Sequence, residues 1–155
     1  MNTGASMTEA IRFTIFGSTG DLTYRKLLPA LYQLEVRGLL SDGFSITAVG
    51  RKPFNAETYV AQAKPWIEKG SRFRVDPEIF ARFEARFRYV EMEITQVEDY
   101  KALIDAQGGD HLYYFAVAPA YFEPIARNLR DAGVLQHGSH RVILEKPFGE
   151  DEHHA

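Results

Sequence analysis

The stretch IRFTIFGSTGDLTYRK, residues 11–26, joins a short apolar run to a helical pattern through a turn with two glycines. Most of residues 11–16 are β-branched or aromatic, and this composition predicts a β-strand. Gly17 permits a sharp turn, and Gly20 lets a pyrophosphate or a neighbouring helix approach the backbone closely. Because the N-terminus of the following helix favours an anion, the stretch predicts a strand-turn-helix unit that binds phosphate.

This turn differs from the two common phosphate-binding fingerprints. The Walker loop, G-x-x-x-x-G-K-[ST], has a longer spacing between its glycines and a lysine after the second. Here only Ser18 and Thr19 separate the glycines, and Asp21 and Leu22 follow. The G-x-G-x-x-G fingerprint is also incomplete, so an ordinary glycine-rich turn stays open as an alternative. Asp21 suits the first helical turn, where its carboxylate can accept backbone N–H bonds.

Further runs with strand character alternate with helical patterns along the rest of the chain. The predicted strands cover residues 11–16, 44–49, about 89–94, 112–117 and 141–144. The predicted helices start near residues 27, 55, 76, 97 and 120. This alternation predicts an α/β fold. We expect a Rossmann-like, doubly wound, mainly parallel sheet of five or six strands with helices on both faces.

Several helix ends carry recognisable signals. Asn55 and Asp76 are predicted N-caps, whereas Gly38 and Gly70 are predicted helix stops. Pro29 leaves two alternatives: the first helix kinks there, or a short turn ends just before it and Pro29 opens the main helix.

Residues that could bind a ligand follow four of the five predicted strands. Doubly wound sheets bind their ligands at these carboxyl ends of the strands. NAD-binding folds usually place an acid after the second strand, to bind the ribose 2′-hydroxyl. This sequence instead has Gly50-Arg51-Lys52. A guanidinium suits a 2′-phosphate, so Arg51 favours NADP, with a solvated Arg-Lys pair as the alternative.

Length, charge and cysteine content narrow the class of protein. The 155 residues suit one domain or one part of a larger protein, and the net charge of -3 predicts no binding to nucleic acid or to a membrane. The chain has no cysteine, which excludes disulfides and thiolate metal sites and fits a cytoplasmic protein. No His/Asp/Glu set has metal-ligand spacing. Residues 1–8 are polar and are predicted to be a flexible tail before a dinucleotide-binding domain at residues 9–155.

Two motifs in register resemble one known family. The G-x-x-G-D-L-A…K…P segment of glucose-6-phosphate dehydrogenases resembles this sequence at residues 17–22 and then at Arg25, Lys26, Leu27 and Pro29. Residues 145–149, EKPFG, are identical to that family's signature. The segments around Arg51, Glu93 and 114–119 follow in the family's order, so the resemblance covers about residues 11–151.

The resemblance implies an oxidoreductase of the pentose phosphate pathway. Such enzymes oxidise the C1 hydroxyl of glucose 6-phosphate to the lactone and pass a hydride to NADP⁺. By resemblance, Arg51 pairs with the 2′-phosphate, and Lys146 contacts both cofactor and sugar phosphate with Lys26 nearby. The other cofactor-binding residues that the resemblance implies are Gly17, Ser18, Thr19, Gly20, Asp21, Leu22, Thr23, Tyr24, Glu93, Ile94 and Tyr114.

The resemblance also sets limits on activity. The family's general base is a histidine in a second, downstream domain, so this chain is expected to hold no catalytic residue. It is expected to bind NADP⁺ without turnover, and the full-length protein is expected to form a homo-oligomer through the missing domain. Thr23 replaces a common alanine and Tyr24 a common basic residue. Two alternatives stay open, another Rossmann sugar oxidoreductase and a non-catalytic NADP-binding sensor.

Overall fold

In a computed structural model, residues 10–71 and 73–144 are described, and five parallel strands form one sheet. The strands are β1 (Ile11–Phe16), β2 (Phe44–Gly50), β3 (Phe87–Glu91), β4 (Asp110–Phe115) and β5 (Ser139–Leu144). Their order across the sheet is β3-β2-β1-β4-β5, and all four neighbouring pairs are parallel. The predicted doubly wound α/β fold is therefore confirmed, with β1 and β4 on either side of the switch point.

Helical segments connect the strands. A π-helix (Thr23–Leu27) runs into α1 (Leu28–Val36), and both lie between β1 and β2. The connection from β2 to β3 contains α2 (Ala56–Gly70) and α3 (Pro77–Glu84). Between β4 and β5 lies α4 (Phe122–Asp131). Short 3₁₀ segments occur at Val97–Leu103, Pro119–Tyr121 and Val134–Gln136.

Each face of the sheet carries its own apolar core. Strand side chains alternate between the faces, so Phe13 and Ile15 lie on one face and Phe16 lies on the other. The first face packs against α1, α2 and α3, whereas the second packs against α4 and the 3₁₀ segment at Val97–Leu103. Burying both faces between helices is the arrangement expected for a parallel sheet, and it leaves the strand ends free to line a site.

The third and fourth strands end earlier than the sequence predicts. β3 ends at Glu91 and β4 ends at Phe115, three and two residues before the predicted ends at residues 94 and 117. The residues beyond, Ile94 and Val117, still pack against the core of the second face. Side-chain burial therefore continues past the end of each strand. The apolar pattern alone does not distinguish buried residues that pair with a neighbouring strand from buried residues that do not.

Pro29 is accommodated by a wide helical turn. The backbone N–H of Leu28 donates to the Thr23 carbonyl, which is the spacing of a π-turn. Pro29 is the second residue of α1, where its missing N–H costs little. The structure thus resembles the second alternative for Pro29, with the turn ending one residue earlier, at Leu27.

Both predicted N-caps are confirmed. The Asn55 side chain accepts from the Thr58 backbone N–H at 2.8 Å, and the Thr58 hydroxyl accepts from the Asn55 N–H at 2.8 Å. This pair is a reciprocal capping box at the start of α2. At α3, the Asp76 carboxylate accepts from the backbone N–H groups of Glu78 and Ile79.

The two predicted glycine stops have different outcomes. Gly38 has φ 69°, and the hydrogen bonds from Gly38 to Glu35 and from Leu39 to Leu34 close a Schellman motif after α1. Gly70 is instead the last residue of α2 and lies outside the left-handed region. A Cβ at Gly70 would lie 3.1 Å from the Pro29 Cβ. Its small size therefore serves the packing of α2 on α1 rather than a helix stop.

Two predictions fall on other parts of the chain. The tail at residues 1–8 and the EKPFG segment at 145–149 lie outside the described residues. Within residues 10–71 and 73–144, no helix combines the length and apolar character that crossing a membrane requires.

Candidate functional site

A cleft of about 330 Å³ opens at the carboxyl ends of β1, β2, β3 and β4. Its lining comes from residues 17–19, 49–51, 92–95 and 117–118 and from Tyr121. The cleft therefore lies at the switch point between β1 and β4, where doubly wound sheets bind their ligands.

The turn after β1 is folded back against β4. Gly17 has φ 88°, and a Cβ there would overlap the Ala116 carbonyl oxygen just beyond β4. The Gly17 carbonyl accepts from the Thr23 hydroxyl at 2.8 Å and from the Gly20 N–H at 3.1 Å. Only glycine combines this conformation with such close backbone contact.

Ser18 anchors the same turn to its neighbours. The buried Ser18 hydroxyl donates to the Val49 carbonyl at 2.7 Å. The Ser18 carbonyl accepts from the Tyr59 hydroxyl of α2 at 2.6 Å. Burial, the largest cause, raises the Tyr59 pKa well above its ordinary value, so this hydroxyl stays a donor. The serine thus ties the turn to β2 and α2 and leaves Thr19 to face the cleft.

Gly50 ends β2 in a crowded position. A Cβ at Gly50 would lie 2.6 Å from the Tyr89 hydroxyl and 3.2 Å from the Ser18 hydroxyl. The Tyr89 hydroxyl donates to the Lys52 carbonyl at 2.9 Å, and burial followed by the Glu91 charge raises the Tyr89 pKa to about 12. The Tyr89 hydroxyl therefore anchors the backbone at Lys52, directly after Arg51.

Arg51 lies at the mouth of the cleft. Its side chain is 79% exposed, and its Nη1 lies 3.9 Å from Oε1 of Glu93, which is 38% exposed. An exposed ion pair of this kind contributes little to stability, about 0–1 kcal/mol. The guanidinium therefore remains accessible to an anionic ligand.

The segment after β3 is held from both sides. The Glu93 backbone N–H donates to the Asp99 carboxylate at 2.8 Å, and the Thr95 hydroxyl donates to Glu93 Oε2 at 3.2 Å. The Ile94 carbonyl accepts from the Tyr100 hydroxyl at 2.7 Å and from the Asn128 amide at 3.1 Å. These bonds place an acid and an apolar side chain side by side in the cleft.

The cleft brings together six residues that the sequence predicts to bind the cofactor. They are Gly17, Ser18, Thr19, Arg51, Glu93 and Ile94. Their roles as ligands stay predictions, but their juxtaposition follows from the alignment of parallel strand ends.

The remaining predicted residues of the turn do not line the cleft; they are Gly20, Asp21, Leu22, Thr23 and Tyr24. Thr23 is buried and closes the turn through its hydrogen bond to the Gly17 carbonyl. The exposed Asp21 carboxylate accepts from the Arg25 guanidinium at 2.7 Å, rather than from backbone N–H groups as the sequence predicts. An (i, i+4) guanidinium is a charge-assisted donor, which explains this choice. Leu22 is 37% exposed. Tyr24 stacks on Tyr59 and Trp66.

Two further predicted residues do not line the cleft, and a third is not among the described residues. Tyr114 lies on the face opposite Tyr113, as alternation predicts, and packs near Phe13 with ring centroids 6.0 Å apart. Lys26 is exposed on the π-helix and does not line the cleft. Lys146 lies outside the described residues.

Tyr121 lines the cleft but is absent from the residues predicted from sequence. It ends the 3₁₀ turn Pro119–Tyr121, and its side chain is 43% exposed. The available signal was its place just after Pro119, at the start of the helix that follows a strand end. Met92 and Val117 were missed in the same way, because apolar residues at strand ends are typical of a core.

The donors in this cleft fit a dinucleotide. Gly17 and Gly50 allow the segments that border the cleft to pack closely, and Thr19 offers a hydroxyl near the N-terminus of a helix. Arg51 supplies a cation, and Ile94 supplies an apolar surface for a base. Phosphate and base thus each have a chemically suitable partner.

Comparison with known proteins agrees with this geometry. Residues 14–155 match the family described as "Glucose-6-phosphate dehydrogenase, NAD binding domain". The glucose-6-phosphate 1-dehydrogenase of Dickeya dadantii is 33% identical over 147 residues, which cover 93% of this chain and 30% of that protein.

Two solved structures share the fold. A crystal structure of glucose-6-phosphate 1-dehydrogenase from Mycobacterium avium matches with a TM-score of 0.80 at 31% identity, over 91% of this chain and 30% of that one. A glucose-6-phosphate dehydrogenase in complex with its substrate glucose-6-phosphate matches with a TM-score of 0.79 at 28% identity, over 91% and 31% of the two chains. The chain spans about a third of the length of the relatives it matches. It belongs to the family of glucose-6-phosphate dehydrogenase NAD-binding domains.

Proposed function

We propose that this chain is the NADP-binding domain of a glucose-6-phosphate 1-dehydrogenase, which converts D-glucose 6-phosphate and NADP⁺ to the lactone and NADPH. The observation that supports NADP most directly is Arg51 at the cleft mouth. Its guanidinium follows β2, where NAD-binding folds usually carry an acid for the ribose 2′-hydroxyl. An exposed guanidinium there favours the additional phosphate of NADP.

The residues of the turn after β1 have complementary roles in this proposal. Thr19 would present its backbone N–H and its hydroxyl to the pyrophosphate, while Ser18, whose own N–H and hydroxyl both donate to the Val49 carbonyl, would hold the turn in place. Gly17 and Gly20 would let the turn fold tightly enough for this. Thr23 would hold the turn through its hydrogen bond to the Gly17 carbonyl, and Asp21, Leu22 and Tyr24 remain proposed contacts beside it. When bound, the nicotinamide would accept a hydride from the substrate alcohol.

The cleft residues beyond the turn would orient the adenosine half. Arg51 would pair with the 2′-phosphate, and Ile94 would contact the base. Tyr114 packs near Phe13 on one face of the sheet and does not line the cleft, so its contact with the cofactor remains a proposal. Lys146 and Lys26 remain proposed contacts of the sugar phosphate.

The activity of the whole protein is also a proposal. A lysine that is charged at neutral pH is a poor base, so we expect the alcohol proton to be removed by a histidine from another domain. We further propose a cytoplasmic location and a homo-oligomeric full-length protein, both on the strength of the family resemblance. The chain itself should bind NADP⁺ and show no glucose 6-phosphate oxidation.

Replacing Arg51 with alanine tests the cofactor assignment. A hydrogen bond to a charged group contributes about 1.5–3 kcal/mol, so Arg51→Ala should weaken NADP⁺ binding by about tenfold or more. NAD⁺ binding should change by less than about twofold, because NAD⁺ lacks the 2′-phosphate. Isothermal titration calorimetry with both cofactors measures the two dissociation constants.

The adjacent Lys52 provides a matched control. Lys52 is exposed in the same loop but does not line the cleft, so Lys52→Ala should leave NADP⁺ binding nearly unchanged. An equal loss of both cofactors in Arg51→Ala would remove Arg51 from the 2′-phosphate role. Failure of the unchanged chain to bind either cofactor would contradict the proposed function itself.

A further inference from the structure

The cleft contains a carboxylate that recognition of a 2′-phosphate does not require. Glu93 lines the cleft, and its Oε1 lies 3.9 Å from Arg51 Nη1. Its Oε2 accepts from the Thr95 hydroxyl at 3.2 Å, and its backbone N–H donates to Asp99 at 2.8 Å. Glu93 is therefore held with one carboxylate oxygen turned towards the arginine.

The sheet register explains why the acid and the arginine meet. Gly50 of β2 pairs with Glu91 of β3, so the residues that follow these two strands emerge side by side. Many NAD-binding folds place an acid directly after the second strand. Here the cation Arg51 follows β2, and the acid Glu93 comes from the neighbouring strand end instead.

A carboxylate and a guanidinium recognise different groups at the ribose 2′ position. The carboxylate accepts a hydrogen bond from a hydroxyl, whereas it repels a phosphate dianion. The guanidinium binds the phosphate through charge-assisted hydrogen bonds. Because Arg51 Nη1 lies 3.9 Å from Glu93 Oε1, a phosphate bound by Arg51 also interacts electrostatically with the Glu93 carboxylate.

We propose that Glu93 is a specificity-determining residue: its carboxylate accepts a hydrogen bond from the 2′-hydroxyl of NAD⁺ and repels the 2′-phosphate of NADP⁺. This proposal rests on the proposed function, because it assigns a role within the same cofactor cleft. Glu93 then favours NAD⁺ and Arg51 favours NADP⁺. The dissociation constants of the two cofactors therefore differ by less than they would with Arg51 alone.

The substitution Glu93→Gln tests the pair, since it keeps the size of the side chain and removes its charge. Exposed charges interact weakly, so NADP⁺ binding should tighten by about fivefold at low salt. NAD⁺ binding should weaken by about threefold, because a charged acceptor is replaced by a neutral one. The ratio of the two dissociation constants should therefore change by about an order of magnitude.

Calorimetric titrations at low and high salt provide the measurement. The probes are NADP⁺, NAD⁺, adenosine 2′,5′-bisphosphate and adenosine 5′-monophosphate, of which the last two differ only at the 2′ position. The gain for the 2′-phosphorylated probes should shrink at high salt, because screening weakens the repulsion that the substitution removes. Glu91→Gln is the matched control, since Glu91 is an exposed acid on β3 that does not line the cleft.

The sign of the change separates this proposal from a simpler one. If Glu93 only holds Arg51 in position, Glu93→Gln should weaken NADP⁺ binding, and that result would overturn the specificity role. Equal changes for both cofactors, or the same change in Glu91→Gln, would overturn it too. If the unchanged chain binds neither cofactor, the proposed function fails first, and the two failures are thereby distinguished.

Discussion

At the residue scale, Gly17 and Gly38 share a left-handed backbone but have different surroundings. Gly17 has φ 88° and lies against the Ala116 carbonyl, whereas Gly38 has φ 69° and open space where a Cβ would lie. The left-handed conformation alone costs a non-glycine residue about 1–2 kcal/mol, and overpacking adds about 1–3 kcal/mol. Comparing substitutions at the two positions therefore separates the cost of backbone strain from the cost of steric overlap.

Alanine substitutions at these two positions should differ clearly. Gly38→Ala should lower the free energy of unfolding by about 1 kcal/mol, and Gly17→Ala by about 3 kcal/mol or more. Urea unfolding followed by circular dichroism measures both values. Equal losses would mean that the turn after β1 moves away from β4 without cost.

Single residues also show where sequence reasoning succeeds. Gly17 was predictable because a glycine directly after a strand signals a turn within a few residues. The requirement for Gly50 and Gly70 was not, since their crowding comes from Tyr89 and Pro29, which lie about 40 residues away in sequence. Tyr121 was missed for the same reason, because only the folded sheet brings it to the cleft.

At the element scale, a buried ion pair joins α1 to the start of β3. Glu35 of α1 is buried, and its carboxylate accepts from the Arg86 guanidinium, with Arg82 farther away at 3.8 Å. Arg86 also donates to the carbonyls of residues 40, 41 and 44. One side chain thus ties a helix, a loop and the beginnings of two strands together.

Removing one partner of this pair should lower the free energy of unfolding strongly. Removing both partners should lower it by less than the two single losses added together. Leaving one buried charge unpaired typically costs about 3–5 kcal/mol, so Glu35→Leu should destabilise the chain by about that amount. The double variant Glu35→Leu/Arg86→Met should lose less than the two single variants added together. Urea unfolding of the unchanged chain, the two single variants and the double variant gives the coupling energy.

The exposed pair of Asp21 and Arg25 serves as the control. Its side chains are 70% and 54% exposed, so Arg25→Met should change stability by less than about 0.5 kcal/mol. Strictly additive losses for Glu35 and Arg86 would contradict the role of their ion pair.

Element boundaries divide into those set locally and those set by packing. The Asn55 and Asp76 caps use hydrogen bonds within three residues, so the sequence predicts them directly. The ends of β3 and β4 depend on neighbouring strands, and the sequence pattern places them three and two residues too late, respectively. The π-turn before Pro29 was also missed, since proline shows that a helix is disturbed but not which wider turn absorbs it.

At the scale of the whole molecule, a histidine cluster links stability to pH. His111 is buried at the amino end of β4, its Nε2 lies 3.1 Å from the Asp105 carboxylate, and its ring stacks on His140 at 4.8 Å. Burial, the largest cause, lowers the His111 pKa, and the nearby charges of His140 and Arg12 lower it further against the opposing effect of Asp105. The folded chain therefore binds the proton less readily than the unfolded chain does.

Stability should fall as the pH drops below the unfolded histidine pKa of about 6.5. Above that pH both states are neutral at His111, whereas below it the unfolded state takes up the proton first. The loss reaches at most about 1.4 kcal/mol per pH unit until the folded pKa is passed. Urea unfolding at a series of pH values between neutral and mildly acidic conditions measures this slope.

The variant His111→Gln should flatten the slope in that window, although it lowers stability at neutral pH. His137→Gln is the control, because His137 is exposed and its contact to His140 uses the backbone carbonyl. An unchanged slope in His111→Gln would show that other groups carry the pH dependence.

The fold class was predictable from the strand-helix alternation, because parallel strands require such crossovers. The alternation does not give the strand order, which depends on the side of β1 to which each crossover returns. The position of the cleft followed from Gly17 and Arg51, since carboxyl ends of parallel strands share one edge. Its exact lining required the folded segments after β3 and β4.

The anchoring of Ser18 has a consequence for the thermodynamics of binding. Its hydroxyl is bound to Val49 and its carbonyl to Tyr59, and both contacts are made within the chain itself. The conformational entropy of this turn is therefore lost when the domain folds and not when a nucleotide arrives. A ligand gains from each contact with the turn without a further ordering cost, which favours tight binding at a small contact area.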